Sequence, residues 1–312
     1  MTAENVKVNT IFIFICYHIL ADSVCPLKFF FGDAFMRSAH KSLTIYSIIV
    51  GLLALVGIIA RMFSLLRFYD IDIGYYRTAA VLPDIFHGLC VLMIPISLSV
   101  IYFLPKSGEH KYVSPMQRCT VDTIVGAIFA AFGVGAYVIY GMVSTLDESG
   151  ANYSVVSGAG VYIEALSIIF GFFAIIYFIL VAANKTAKGE GHVYFGYAVI
   201  AFVLMSLAKT YFDFYTTMNS PNKMLLQITF MTIMVYLLYE LRFSIGRAAP
   251  RVYSGFALLA LYFTAVCSVP GIVGYFIGIF DNIQYLVGHF VCFGFCVYIC
   301  ARIIKFAFSQ KK

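Results

Sequence analysis

The sequence predicts an all-α polytopic membrane protein with about eight transmembrane helices and both termini inside. Three observations carry that prediction. Hydrophobic residues make up 62% of the 312 residues and charged residues only 12%, whereas a soluble domain is about half apolar and about a quarter charged. Apolar runs of about 20 residues, enough to cross a bilayer as a helix, recur from position 42 to the end. Lys and Arg gather in alternate connections, which is the positive-inside pattern. The mean hydropathy of +0.92 agrees.

Residues 1–35 read as an N-terminal extension to a membrane domain at 36–312. The apolar stretch TIFIFICYHIL is too short to span. As a signal-peptide core it has poor flanks, because MTAENVKVN sets one Lys against one Glu and no A-x-A site follows. As a ninth helix it needs an outside N-terminus. A third reading starts translation at Met36, where MRSAHKSLTIYS forms a short basic leader into the first span.

The spans are read at 42–62, 79–104, 119–144, 159–183, 193–217, 224–243, 253–280 and 284–306. Between them stand turn-forming or charged segments: LPKSGEHKYVSPMQR, LDESGANYS, NKTAKGEGH, NSPNK, GRAAPR and FDN. With both termini inside, fourteen Lys and Arg fall on the inner side, among them Lys106, Lys185, Arg247 and Arg302. Four fall outside: Arg61, Arg67, Arg77 and Lys223. Arg61 and Arg67 are expected to snorkel from the end of a long first helix. This basic excess is a topology signal and not a nucleic-acid footprint.

Ionisable groups inside spans are costly, so they are the first functional candidates. Asp84, His87, Glu164, Lys209, Asp213 and His289 all fall within roughly 6 to 12 Å of the outer helix ends, at about 1.5 Å per residue. Asp84 with His87, and Lys209 with Asp213, have spacings that share a helix face. This layer is the candidate ligand- or ion-binding site. The competing reading is an interhelical ion-pair cluster that only fixes packing. Glu240 and Arg242, and Arg118 with Asp122, read as interfacial anchors.

Pro83, Pro95 and Pro270 lie inside spans and invite kinks. Gly126, Gly133, Gly135 and Gly141, and the pair Gly274 and Gly278, read as close-approach positions. His289, Cys292, Cys296 and Cys300 share one helical stripe. It reads as a packing face, because no HxxxH, HExxH or CxxC pattern supports a metal. No phosphate loop, zinc-protease motif or nucleophile elbow occurs. Nothing therefore supports an enzyme, and no cofactor is expected.

The stretches YDIDIGYYRTAAVLP and FYTTMNSPNKMLLQITFMTIMVYLLYELRF resemble those of uncharacterised multispanning membrane proteins of bacteria, over about residues 41–306. The resemblance implies a bacterial inner membrane and no activity. The leading functional expectation is small-solute or ion binding and transport. The alternative is a non-transporting sensor or assembly component that acts through membrane protein partners. The lipid bilayer is the expected partner in either case.

Overall fold

The computed structural model describes residues 39–71, 73–77, 81–104, 120–148, 158–183, 191–213, 220–247, 249–280 and 282–309. The readings of residues 1–35 and of Arg118 lie outside them. The helices are α1 Ala39–Phe68, α2 Val81–Phe103, α3 Val121–Glu148, α4 Gly158–Ala182, α5 Gly191–Tyr211, α6 Pro221–Ser244, α7 Pro250–Phe276 and α8 Ile283–Ser309. All eight are long and apolar enough to cross a membrane, so this is a multi-pass membrane protein. Helix is the expected form, since each backbone group in hydrocarbon must be satisfied within its own segment.

Between α1 and α2 lies a small antiparallel hairpin, β1 Tyr69–Asp70 and β2 Tyr75–Tyr76, paired Tyr69 to Tyr76 and Asp70 to Tyr75. The helices run up and down, so this "hairpin end" also holds the ends of α3, α5 and α7 and the starts of α4, α6 and α8. The opposite end is called the far end.

Six helices close into a ring. α3 packs on α4, α4 on α5, α5 on α6, α6 on α7, α7 on α8, and α8 back on α3. The ring is filled by side chains. Phe178 of α4 meets Phe295 and Tyr298 of α8, and Tyr137 of α3 meets Phe202 of α5. α1 and α2 pack on each other and on α7. Glycine permits the closest seam, between α3 and α8. A Cβ on Gly133 would sit 2.7 Å from the Phe290 carbonyl oxygen, and one on Gly294 would sit 2.6 Å from that of Phe129.

Several expectations change. α1 runs to Phe68 rather than 62, and α5 stops at Tyr211 rather than 217. Pro83 falls in the first turn of α2, where a missing N–H costs nothing, leaving Pro95 as that helix's interior proline. Gly278 lies past the end of α7 at φ +80°, so it serves the turn and not a helix seam. The cysteine stripe is not one packing face: Cys292 is buried, Cys296 half-buried and Cys300 exposed.

Replacing Gly133 by Ala is expected to cost about 1–3 kcal/mol, the cost of overpacking a close backbone contact. Gly51→Ala is the control, since nothing lies within 4 Å of its added Cβ. Unfolding in mixed micelles should separate the two, and equal stabilities would refute the close α3–α8 seam.

Candidate functional site

The hairpin end gathers several buried or half-buried charged groups into three knots. The first is built on a proline. Pro270 has no N–H, so the carbonyl of Val266, four residues earlier in α7, loses its helical partner. The Arg61 Nη1 supplies it, donating to Val266 O at 2.6 Å and to Cys267 O at 2.9 Å. Arg61 Nη2 donates to Asn222 Oδ1 at 2.5 Å, which ties in the start of α6. Arg61 is 1% exposed. It does not snorkel, because α1 continues about two turns past it and its side chain turns inward.

The hairpin caps this knot. Tyr69 packs edge-on against Tyr76 and Phe280. Burial, with Tyr76 beside it, pushes the Tyr69 phenol up to about 12. Burial also raises Tyr76, against the opposing pull of the Arg61 charge and hydrogen bond. Both phenols are therefore neutral at physiological pH.

His289 adjoins the same knot. It is wholly buried, with Nδ1 3.6 Å from Cys267 Sγ and its ring flat against Gly271. Its Nε2 has no hydrogen-bond partner among the described residues. No three His, Cys, Asp or Glu side chains among those residues converge to hold a metal ion.

The second knot lies past the end of α5. Tyr285 of α8 donates to Asp213 Oδ2 at 2.9 Å, and Lys223 of α6 donates its ammonium to the Asp213 carbonyl at 2.6 Å. Ser220 caps α6 by accepting from the Lys223 N–H, with Pro221 at the first helical position. Because α5 ends at Tyr211, Lys209 and Asp213 do not share a helix face as their spacing suggested.

The third knot joins α3, α4 and α5. Lys209 Nζ donates to Glu164 Oε1 at 2.6 Å, and Ser144 donates to the same oxygen at 3.1 Å. The ammonium also stands 5.7 Å from the Tyr137 ring and 5.8 Å from that of Tyr140. A small cavity lies against Tyr137 and Tyr285. It is lined by Tyr137, Thr210, Leu226, Phe230, Gln284, Tyr285 and Gly288, with about 10 Å³ open to a water's centre, room for about one water. Tyr137 and Tyr285 link it to both knots.

The six candidate residues thus divide. Glu164 pairs with Lys209, Asp213 accepts from Tyr285, and His289 is buried against α7. Asp84 and His87 stand exposed on α2, and His87 touches Tyr76 and Phe86. They do not enter the ring, because α2 packs on α1 and α7 and leaves this face outward.

Sequence reasoning missed a fourth cluster, at the far end. Glu240 is 2% exposed. Tyr298 donates to its Oε1 at 2.7 Å, and Arg302 Nε stands 2.5 Å from that oxygen, a charge contact without hydrogen-bond alignment. The Tyr236 and Tyr253 hydroxyls, 3.5 Å apart, lie alongside. Glu240 is therefore a core residue and not an interfacial anchor. One signal was available: Tyr236 and Glu240, and Tyr298 and Arg302, are each four residues apart on their helices.

Arg61→Met is expected to cost about 2–4 kcal/mol, since it strips the donors from two buried carbonyls. Pro270→Ala returns an N–H to the Val266 carbonyl. In the Arg61→Met background it should recover about 1 kcal/mol or more. Additive losses in that double-mutant cycle would sink the link between Arg61 and the proline.

Comparison with family models, curated proteins and solved structures finds no match to this chain.

Proposed function

We propose that this chain binds and transports a small ion, through a site built from Glu164, Lys209 and Asp213 with Tyr137 and Tyr285. The membrane in this reading is a bacterial cytoplasmic membrane, as the resemblance to bacterial multispanning proteins suggests. The Lys and Arg bias puts the hairpin end outside, so the site faces outward.

One observation supports the reading above the others. A cavity the size of one water is lined by Tyr285, which donates to Asp213, and by Tyr137, whose ring stands 5.7 Å from the Lys209 ammonium. Such a space suits a bare ion or a proton-carrying water and is too small for an organic solute. Tyr137, Thr210, Gln284 and Tyr285 are among the residues that line it, and each carries a side-chain group that can donate or accept. Charged groups and polar side chains around a narrow space are the parts from which ion selectivity is built.

A second reading is favoured by the filled ring axis and the Glu240–Arg302 pair at the far end. In it the chain is a non-transporting sensor or assembly component, and the buried charges only fix its packing.

Flux into proteoliposomes under an imposed potential tests the choice. The wild-type chain should carry ions above the level of empty vesicles. Lys209→Ala and Asp213→Asn should each cut that flux about tenfold or more, as loss of one charged hydrogen-bonding group does. Wild-type vesicles no leakier than empty ones, tried with protons, alkali cations and halides in turn, leave the second reading.

A further inference from the structure

The connection between α6 and α7, at the far end, is charged in one sense only. From Leu241 to Gly255 the chain carries Arg242, Arg247 and Arg251 and no acid. Glu240, just before it, already pairs with Arg302. The turn ties two of the arginines together. The Arg247 N–H donates to the Arg242 carbonyl at 2.9 Å, and Arg242 Nε donates back to the Arg247 carbonyl at 3.2 Å. Gly246 permits the turn at φ +79°. Arg247 is exposed, and its guanidinium meets no acid among the described residues. Arg251 is half-buried, and its Nε is shut from solvent with no hydrogen-bond partner among those residues. It stands in the first turn of α7, where the positive end of the helix dipole disfavours a cation. Further into the two spans, Tyr239 of α6 stacks on Phe256 of α7, with ring centroids 5.4 Å apart and planes 7° from parallel. Both rings are half-buried, and the Arg242 guanidinium stands 5.7 Å from that of Tyr239.

We infer that this turn binds the phosphate of an anionic phospholipid, whose acyl chain lies along the Tyr239–Phe256 stack. A phosphate is best met by donors in a planar fork, which a guanidinium offers and an ammonium does not. Arg242 uses only Nε on the Arg247 carbonyl. Arg247 and Arg251 bring whole forks with no acid to neutralise them. A bound phosphate would supply the missing negative charge to all three, and would remove the conflict between Arg251 and its helix dipole. The Lys and Arg bias puts the far end inside. There the turn meets the headgroup layer, where anionic lipids set a negative surface potential. The aromatic stack separates a lipid from the other anions. A soluble anion would meet the charges alone, and an acidic protein could not reach rings set within the spans. A phospholipid answers both features at once. This surface lies at the opposite end from Glu164 and Lys209 and does not rest on the transport reading.

Native mass spectrometry of the full chain in detergent, titrated with phosphatidylglycerol or phosphatidylcholine, tests this directly. The wild-type chain should hold one phosphatidylglycerol about tenfold or more tightly than phosphatidylcholine. Arg247→Gln and Arg251→Gln should each weaken that binding about fivefold, as loss of one basic group near an anionic lipid does. Arg67→Gln removes the same charge from an exposed position at the hairpin end and should leave binding unchanged. An excess of inorganic phosphate should leave the lipid in place. Arg247 is exposed, so an unchanged melting temperature will show that its variant folds. Equal affinity for the two lipids overturns the proposal, and so do arginine variants that bind as the wild-type chain does. A loss in Arg67→Gln as large as in the others also overturns it, since the effect is then one of net charge. Displacement by inorganic phosphate overturns it too, by assigning the turn to a soluble anion.

Discussion

The Arg61 guanidinium at the proline of α7 is the contact on which the hairpin end depends. A proline inside a membrane helix leaves a carbonyl with no donor, and hydrocarbon supplies none. A guanidinium inside a membrane helix is a charge with no water. Here each answers the other. Val266 and Cys267 accept from Arg61, and Asn222 accepts on its second arm. Three helices that are distant in sequence are thereby fixed at one depth. The neutral phenols of Tyr69 and Tyr76 lie over the charge, so the hairpin shields the knot from outside.

The α3–α8 seam is the complementary constraint. With no hydrophobic drive between helices in lipid, association rests on close packing and buried polar contacts. The glycines on α3 and Gly294 on α8 let those two helices meet backbone to backbone, which closes the ring. Closure decides which charges can meet. Glu164 and Lys209 belong to ring helices and pair with each other, and Asp213, just past α5, is held by Tyr285 and Lys223 of the ring. Asp84 and His87 belong to a helix outside it.

The spans and their breaks were legible, because a 20-residue apolar run bounded by NSPNK or LDESGANYS has little freedom to be anything else. Helix ends were not. An Arg seven residues before a helix end looks like a terminus when apolarity is the only ruler, so Arg61 was assigned to the interface. The FYTT stretch after Lys209 is apolar enough to extend a helix, yet α5 stops at Tyr211 and carries Asp213 into a connection. The Glu164–Lys209 pair lay within a layer that sequence could define by depth. Which member faced which could not be read, because that depends on the rotation of each helix about its axis. Glu240 escaped for a related reason: a carboxylate near a helix end looks solvated until its neighbours close around it.

The two ends of the ring are unequally sealed. At the hairpin end the Lys209 and Glu164 side chains keep 14% and 18% of their exposure, and Tyr137 beside Lys209 lines a water-sized space. At the far end Glu240 and Arg302 keep 2% and 9%, among the hydroxyls of Tyr298, Tyr236 and Tyr253. A charge pair costs more to separate where water cannot replace the lost partner. A movement that parts a charge pair would therefore begin at the hairpin end, where the pair is less completely covered. The far-end cluster, which joins α6 and α8 and touches α7 through Tyr253, would hold those three helices together as a unit while the rest shifts. On the transport reading, that difference in sealing is what gives the site its outward orientation. On the sensing reading, the same difference confines any response to events on the outer side. On both readings the hairpin end is the side whose charge pair is less covered by the rest of the chain.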